Sequence, residues 1–255
     1  MIDTHAHINS KVLKNLKEEI IKINNSALDK VINIGCDYDT NIESLAIAGN
    51  YSKFYVSLGV HPLMDGNIED ILSIFMYSDN SKYVVAIGET GLDSSRNLDT
   101  QKKKFIESIE LANFLHLPII IHANNTNKLV LDILKKHPPH YGFCFHCFQP
   151  NLDDAREIIK RDGFISVGTP ITRQTAKRSL EVVKNIPLDN LLIETDYPYM
   201  SGLPKTDGKL IFKKIQELRR LDFTELEYTL DNNAKRLFYK LKWPKYSSKI
   251  IDIHI

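Results

Sequence analysis

Six side chains able to bind a divalent cation recur along the sequence: His5, His7, Glu89, His122, His146 and Asp196. Imidazole with carboxylate is a ligand set that favours Zn²⁺, Mn²⁺, Fe²⁺ or Co²⁺ over Ca²⁺. Four imidazoles and two carboxylates suffice for two ions if one carboxylate bridges. A divalent ion lowers the pKa of bound water to about 7, so the chemistry such a set offers is metal-assisted hydrolysis. Taken singly, each residue has a plainer explanation. His5-Ala6-His7 can arise by chance, His122 can be a strand-end histidine satisfied by a backbone carbonyl, and Glu89 and Asp196 can be helix caps or salt-bridge partners. What they share is position, because each falls at the carboxyl end of a predicted strand.

Other residues are open to two readings. His61, in Gly59-Val60-His61-Pro62, either contacts substrate or shapes the turn before Pro62. Arg173, after the seventh strand, is either a phosphate clamp or a surface helix residue, and Tyr197 is a further candidate substrate contact. Cys144-Phe145-His146-Cys147 offers a C-x-x-C pair, but it lies within a strand, where period two puts the two thiols on opposite faces. That disfavours a redox pair or structural zinc, and Cys144 is expected to pack beneath the site. The lysine run 102–104 reads as a solvated helix face.

These residues need elements to hold them. Short apolar segments at 2–7, 30–35, 54–58, 83–89, 118–122, 142–147, 163–167 and 190–196 read as strands. They alternate with amphipathic stretches such as 98–115, where Phe105, Ile109 and Ala112 recur at helical spacing. Most strands are β-branched and apolar on both faces, as parallel strands covered by helices are. Eight such units in 255 residues predict an α/β fold, a single-domain (β/α)₈ TIM-type barrel over 1–240 with 241–255 as a C-terminal tail. His5 and His7, two apart on one strand, point to the same side. All six candidates then meet at the carboxyl-terminal mouth, where such barrels place their active sites.

Composition narrows the class. With 33 basic and 32 acidic residues the net charge is +1, so no global positive field marks a nucleic-acid binder, although a local patch is compatible with it. Three cysteines argue against a disulfide scaffold. No leader peptide and no membrane-length apolar run is visible, the longest purely aliphatic stretch being residues 119–121. A cytoplasmic protein is expected. Without a heptad run or a large apolar stripe, the expectation is a monomer with no obligate protein partner.

Several segments resemble the TatD-type metal-dependent deoxyribonucleases, within the amidohydrolase-like metal-dependent hydrolases. They are Asp3-Thr4-His5-Ala6-His7, Gly59-Val60-His61-Pro62, Gly88-Glu89-Thr90-Gly91-Leu92-Asp93, Pro118-Ile119-Ile120-Ile121-His122, Phe145-His146-Cys147-Phe148 and Glu194-Thr195-Asp196-Tyr197-Pro198, with a closing Asn233 to Phe238. The resemblance runs in order from residue 3 to about residue 238. It implies that His5, His7 and Asp196 hold one ion and His122 and His146 the other, with Glu89 bridging. The sequence also departs from the family's pattern. Ala123-Asn124-Asn125 replaces the usual Ser-Arg-acidic run, removing an expected phosphate clamp, and Gln149-Pro150 replaces Ser or Thr followed by Gly.

The resemblance implies hydrolysis of DNA phosphodiester bonds, removing nucleotides from the 3′ end of single strands, with two divalent ions (Zn²⁺, Mn²⁺ or Mg²⁺) as cofactors. Asp196 and Glu89 would be the catalytic carboxylates, Asp196 orienting the attacking water and taking its proton. One alternative keeps the binuclear site and changes the substrate to small phosphoesters, lactones or amides. Another is a metal-loaded nucleic-acid-binding protein without turnover.

Overall fold

The structure is a computed structural model and describes residues 1–148, 151–200 and 204–242. Gln149, Pro150 and the expected tail from Trp243 onward lie outside the described residues. Eight strands run β1 Ile2–Ala6, β2 Lys30–Ile34, β3 Phe54–Leu58, β4 Val84–Asp93, β5 Ile119–Asn124, β6 Phe143–Phe145, β7 Phe164–Val167 and β8 Leu191–Ile193. Their order in the sheet is the order in the chain, and each adjacent pair is parallel. Just past β8 the backbone also pairs with the end of β1, through His7 N to Tyr197 O at 2.6 Å and Asp196 N to His5 O at 2.9 Å. This contact closes the barrel on its mouth side.

Helices α1 Leu16–Asn24, α2 Tyr38–Asn50, α3 Ile68–Tyr77, α4 Leu98–Phe114, α5 Asn127–Lys136, α6 Leu152–Ile159, α7 Lys177–Asn185 and α8 Pro204–Arg219 follow the strands in turn, and α9 Phe223–Leu237 comes last. The chain is thus the single-domain α/β barrel that the alternating pattern predicts. The strand side chains divide by parity. Phe54, Val56, Ile119, Ile121, Phe143, Phe145, Ile165, Leu191 and Ile193 face outward into the helix layer. Ile2, Ile32, Ile34, Tyr55, Val85, Ile120, Cys144, Phe164 and Leu192 fill the interior, and Leu237, Phe238 and Leu241 from α9 and beyond plug it from below. Leu241 therefore packs with the barrel instead of starting a tail.

Parity then dictates the upper interior. Two residues above Ile120 stands His122, and two above Cys144 stands His146. Two above Leu192 stands Glu194. One strand differs from its expected bounds. β4 extends to Asp93 instead of ending at Glu89, with register shifts between Ile87 and Thr90 where the strand passes β5. The shift places Glu89 inside a longer strand and leaves Asp93 beside Asn124. Close approach allows this pairing: Gly91 has φ 142°, and a Cβ there would strike the His122 carbonyl oxygen.

Candidate active site

At the mouth, the two oxygens of Glu89 face different partners. Oε2 lies 3.4 Å from His5 Nε2 and 3.5 Å from His7 Nε2. Those two nitrogens are 3.1 Å apart, and Asp196 Oδ1 lies 3.8 and 3.3 Å from them. Oε1 lies 2.7 Å from both His122 Nδ1 and His146 Nε2, and 3.5 Å from His61 Nε2. The His122 and His146 nitrogens are 3.2 Å apart. Two ligands bound at about 2.1 Å to one tetrahedral ion are separated by about 3.4 Å. The group around Oε2 therefore has the edge lengths of a coordination shell, while the group around Oε1 is drawn in to hydrogen-bond distance, and both have donors of the right chemistry. The ring nitrogens of His5 and His7 point at each other, and His5 is fully buried with no hydrogen-bond partner for Nδ1. A shared cation accounts for such convergence. The groups fit divalent metal.

The electrostatics favour ionised carboxylates here. Burial raises the Glu89 pKa, but His146, His61 and the bond to His122 outweigh it and hold the carboxyl well below its ordinary value. Asp196 is likewise lowered, with burial opposed by the bond to His7 and by the nearby His5. His5 is pushed down by burial and by His146, and burial takes His61 down to about 4. His146 goes the other way: burial disfavours its charge, but Glu89 and Glu194 raise it well above the ordinary value.

A supporting layer orients these rings. His122 Nε2 lies 3.1 Å from Asp93 Oδ2, and Asp93 is itself fixed by Ser95 N at 2.8 Å and Asn124 Nδ2 at 3.2 Å. His146 Nδ1 lies 3.7 Å from Glu194 Oε1, which accepts the Cys147 backbone N–H. Cys36 Sγ lies 3.5 Å from His7 Nδ1. Within β1, Asp3 accepts from Thr195 Oγ1 at 2.7 Å, Thr195 N at 3.1 Å and His5 N at 3.2 Å. Burial lifts the Asp3 pKa to about 7 against these bonds. None of these four was singled out as a site residue from the sequence. Asp3, Asp93 and Glu194 lie in the segments that carry the family resemblance, and strand parity points Glu194 inward. Nothing local marks Cys36.

The cluster opens into a cavity of about 380 Å³ lined by residues that include Leu63, Met64, Asn124, Cys147, Tyr199 and Met200. His61 shapes the turn, its Nδ1 accepting from Leu63 N at 3.1 Å, while its Nε2 faces Glu89 on the cavity wall. Tyr197 is a correction. It is only 7% exposed, it does not line the cavity, and its hydroxyl donates to Glu19 Oε2 at 3.1 Å. Asp196 has φ 51°, and this left-handed residue turns the chain so that Tyr199 meets the mouth instead, 59% exposed and edge-on to His7. Arg173 is exposed and is not among the lining residues. Cys144 is buried in the lower interior while Cys147 lines the mouth, and both are free thiols.

Comparison with known proteins gives this geometry a lineage. The family model for TatD-related DNases matches residues 2–239. The chain is 36% identical over 252 residues to the uncharacterized metal-dependent hydrolase YabD of Bacillus subtilis, covering 93% of this chain and 98% of that one. It is similar in structure to YjjV, a TatD homologue from Escherichia coli K12, with TM-score 0.83, 27% identity, and coverage of 94% and 98% of the two chains. A TatD-family hydrolase from Entamoeba histolytica shares the fold at TM-score 0.79 and 19% identity, over 94% and 98%. No helix among the described residues is long and apolar enough to cross a membrane. Matched along nearly its whole length, the chain belongs to the TatD family of metal-dependent hydrolases.

Proposed function

We propose that the protein is a metal-dependent deoxyribonuclease that shortens single-stranded DNA from the 3′ end, with two divalent ions held between β1, β4, β5, β6 and the turn after β8. The observation that carries this reading is the division of the Glu89 carboxylate, one oxygen toward His5 and His7 and the other toward His122 and His146. His5, His7 and Asp196 would hold one ion, and His122 and His146 the other. When bound, divalent ions supply Lewis acidity at the attacked phosphate and lower the pKa of water to about 7.

The chain's own groups do the rest. Asp196, at the cavity edge and held ionised, accepts a hydrogen bond from the attacking water and takes its proton as the water oxygen bonds to phosphorus. The scissile P–O bond breaks, and the leaving oxygen departs with the proton that Asp196 took from the water. Tyr199 presents an exposed ring on which a base can stack.

The test is digestion of a 5′-labelled single-stranded oligonucleotide by metal-loaded protein. Stepwise shortening is expected, abolished by chelator and lowered by at least about 10²-fold in Glu89→Gln, the order seen when a charge-stabilising group is removed. Intact oligonucleotide with metal bound would refute the reading. One observation favours a second: among the described residues, no lysine or arginine lines the cavity. A hydrolase of small phosphoesters or lactones fits that lining, and turnover of p-nitrophenyl esters without DNA cleavage would establish it.

A further inference from the structure

With no lysine or arginine among the described residues that line the cavity, side-chain positive charge for a nucleic-acid strand lies on the rim, and the basic residues there can be sorted by what neutralises them. Lys11, near the β1 side of the mouth, is spent on Asp37 at 2.9 Å and Asp39 at 3.0 Å. On α4, Lys102 pairs with Asp99 and Lys103 with Glu107. Arg96 and Lys104 differ. Among the described residues neither forms an ion pair, and the side-chain bonds they make go to neutral carbonyls of two cavity-lining residues. Arg96 Nη1 donates to Leu63 O at 2.8 Å, and Lys104 Nζ donates to Met64 O at 3.2 Å. A backbone carbonyl fixes a cation without cancelling its charge.

The rim they grip is tied to the reactive cluster. Leu63 N donates to His61 Nδ1 and Met64 N to His61 O at 2.9 Å, while His61 Nε2 stands 3.5 Å from Glu89. Two uncompensated cations, Arg96 on the loop after β4 and Lys104 on α4, are thus tethered to the loop after β3 that carries His61. Lys104 does not simply belong to a solvated face, as its run in the sequence suggests.

We propose that Arg96 and Lys104 form a strand-gripping rim, each binding one backbone phosphate of the DNA beside the one attacked, in place of an arginine after His122. This proposal rests on the nuclease reading given above. The two cations give affinity without reading sequence, because phosphates are the same at every position.

Cleavage kinetics of the metal-loaded protein on a single-stranded oligonucleotide, measured across potassium chloride concentrations, test it. Each phosphate contact contributes about 0.7 to the slope of log affinity against log salt on single strands. Arg96→Gln keeps a donor for the Leu63 carbonyl but removes the charge, and should lower the slope of log(kcat/KM) by about 0.7; adding Lys104→Gln should lower it by about 1.4 in all. Arg96→Lys should restore the slope, and the KM loss should be larger on the oligonucleotide than on bis(p-nitrophenyl) phosphate. An unchanged slope while the wild type cleaves DNA would overturn the rim, as would equal losses on both substrates, which indicate a collapsed loop. Wild-type protein that hydrolyses the small diester but leaves DNA intact would instead overturn the nuclease reading, and the rim with it.

Discussion

Asp93 shows how single side chains set this site. Its carboxylate touches His122 Nε2, which leaves Nδ1 to face Glu89 at 2.7 Å. That contact selects the tautomer in which Nδ1 is free to bind a cation. Asp93→Asn keeps the shape but can present its amide to the ring, so divalent-metal affinity should fall about 10–100-fold, measured by competition with a chromogenic chelator. Unaltered affinity would mean that ring packing alone orients His122.

Individual elements have their own fastenings. α2 begins with a capping box: Asp37 accepts from Thr40 N at 3.0 Å, and Asp37 N donates to Thr40 Oγ1 at 3.1 Å. Burial opposes ionisation of Asp37, but the Thr40 amide and Lys11 lower its pKa below the ordinary 3.8. A carboxylate with a depressed folded-state pKa stabilises the fold above its unfolded value, and this contribution disappears as the pH falls through the folded-state value. Asp37→Ala should cost about 0.5–2 kcal/mol at neutral pH. The difference between variant and wild type in urea unfolding should shrink as the pH drops below about 4. A constant difference down to strongly acid pH would show that charge is not what Asp37 contributes.

For the whole molecule, the mouth and the floor are separate tasks. Phe238 is completely buried in the plug below the barrel, far in the architecture from the His and carboxylate cluster above. Phe238→Ala should destabilise the fold by about 3–5 kcal/mol in denaturant unfolding, with metal stoichiometry unchanged in the fraction that remains folded. Conversely, ions held by the proposed ligands would join β1, β4, β5, β6 and the post-β8 turn into one network. Ions present at about 100 times Kd should add about 2.7 kcal/mol of stability. Dialysis against chelator should therefore lower Tm, and restored Zn²⁺ or Mn²⁺ should recover it. Equal Tm values in both states would argue that the site is not loaded under those conditions.

Much of this was legible in the sequence because parity and helical period are local properties. Runs such as residues 119–121, apolar on both faces, require a covered parallel sheet. The two-residue step from Ile120 to His122, or from Cys144 to His146, carries a side chain from core to mouth without changing face. The types and order of the six candidate ligands thus follow from sequence, as does the barrel that gathers them. Register shifts and turns are not local. Only the tertiary structure lengthens β4 to Asp93 and sets that carboxylate beside His122, 29 residues away. Only the left-handed turn at Asp196 sends Tyr197 to Glu19 and Tyr199 to the mouth. The pairing of Cys36 with His7 and the tethering of Arg96 to Leu63 belong to the same class. They join groups from different βα units, and their meeting depends on how the whole barrel closes.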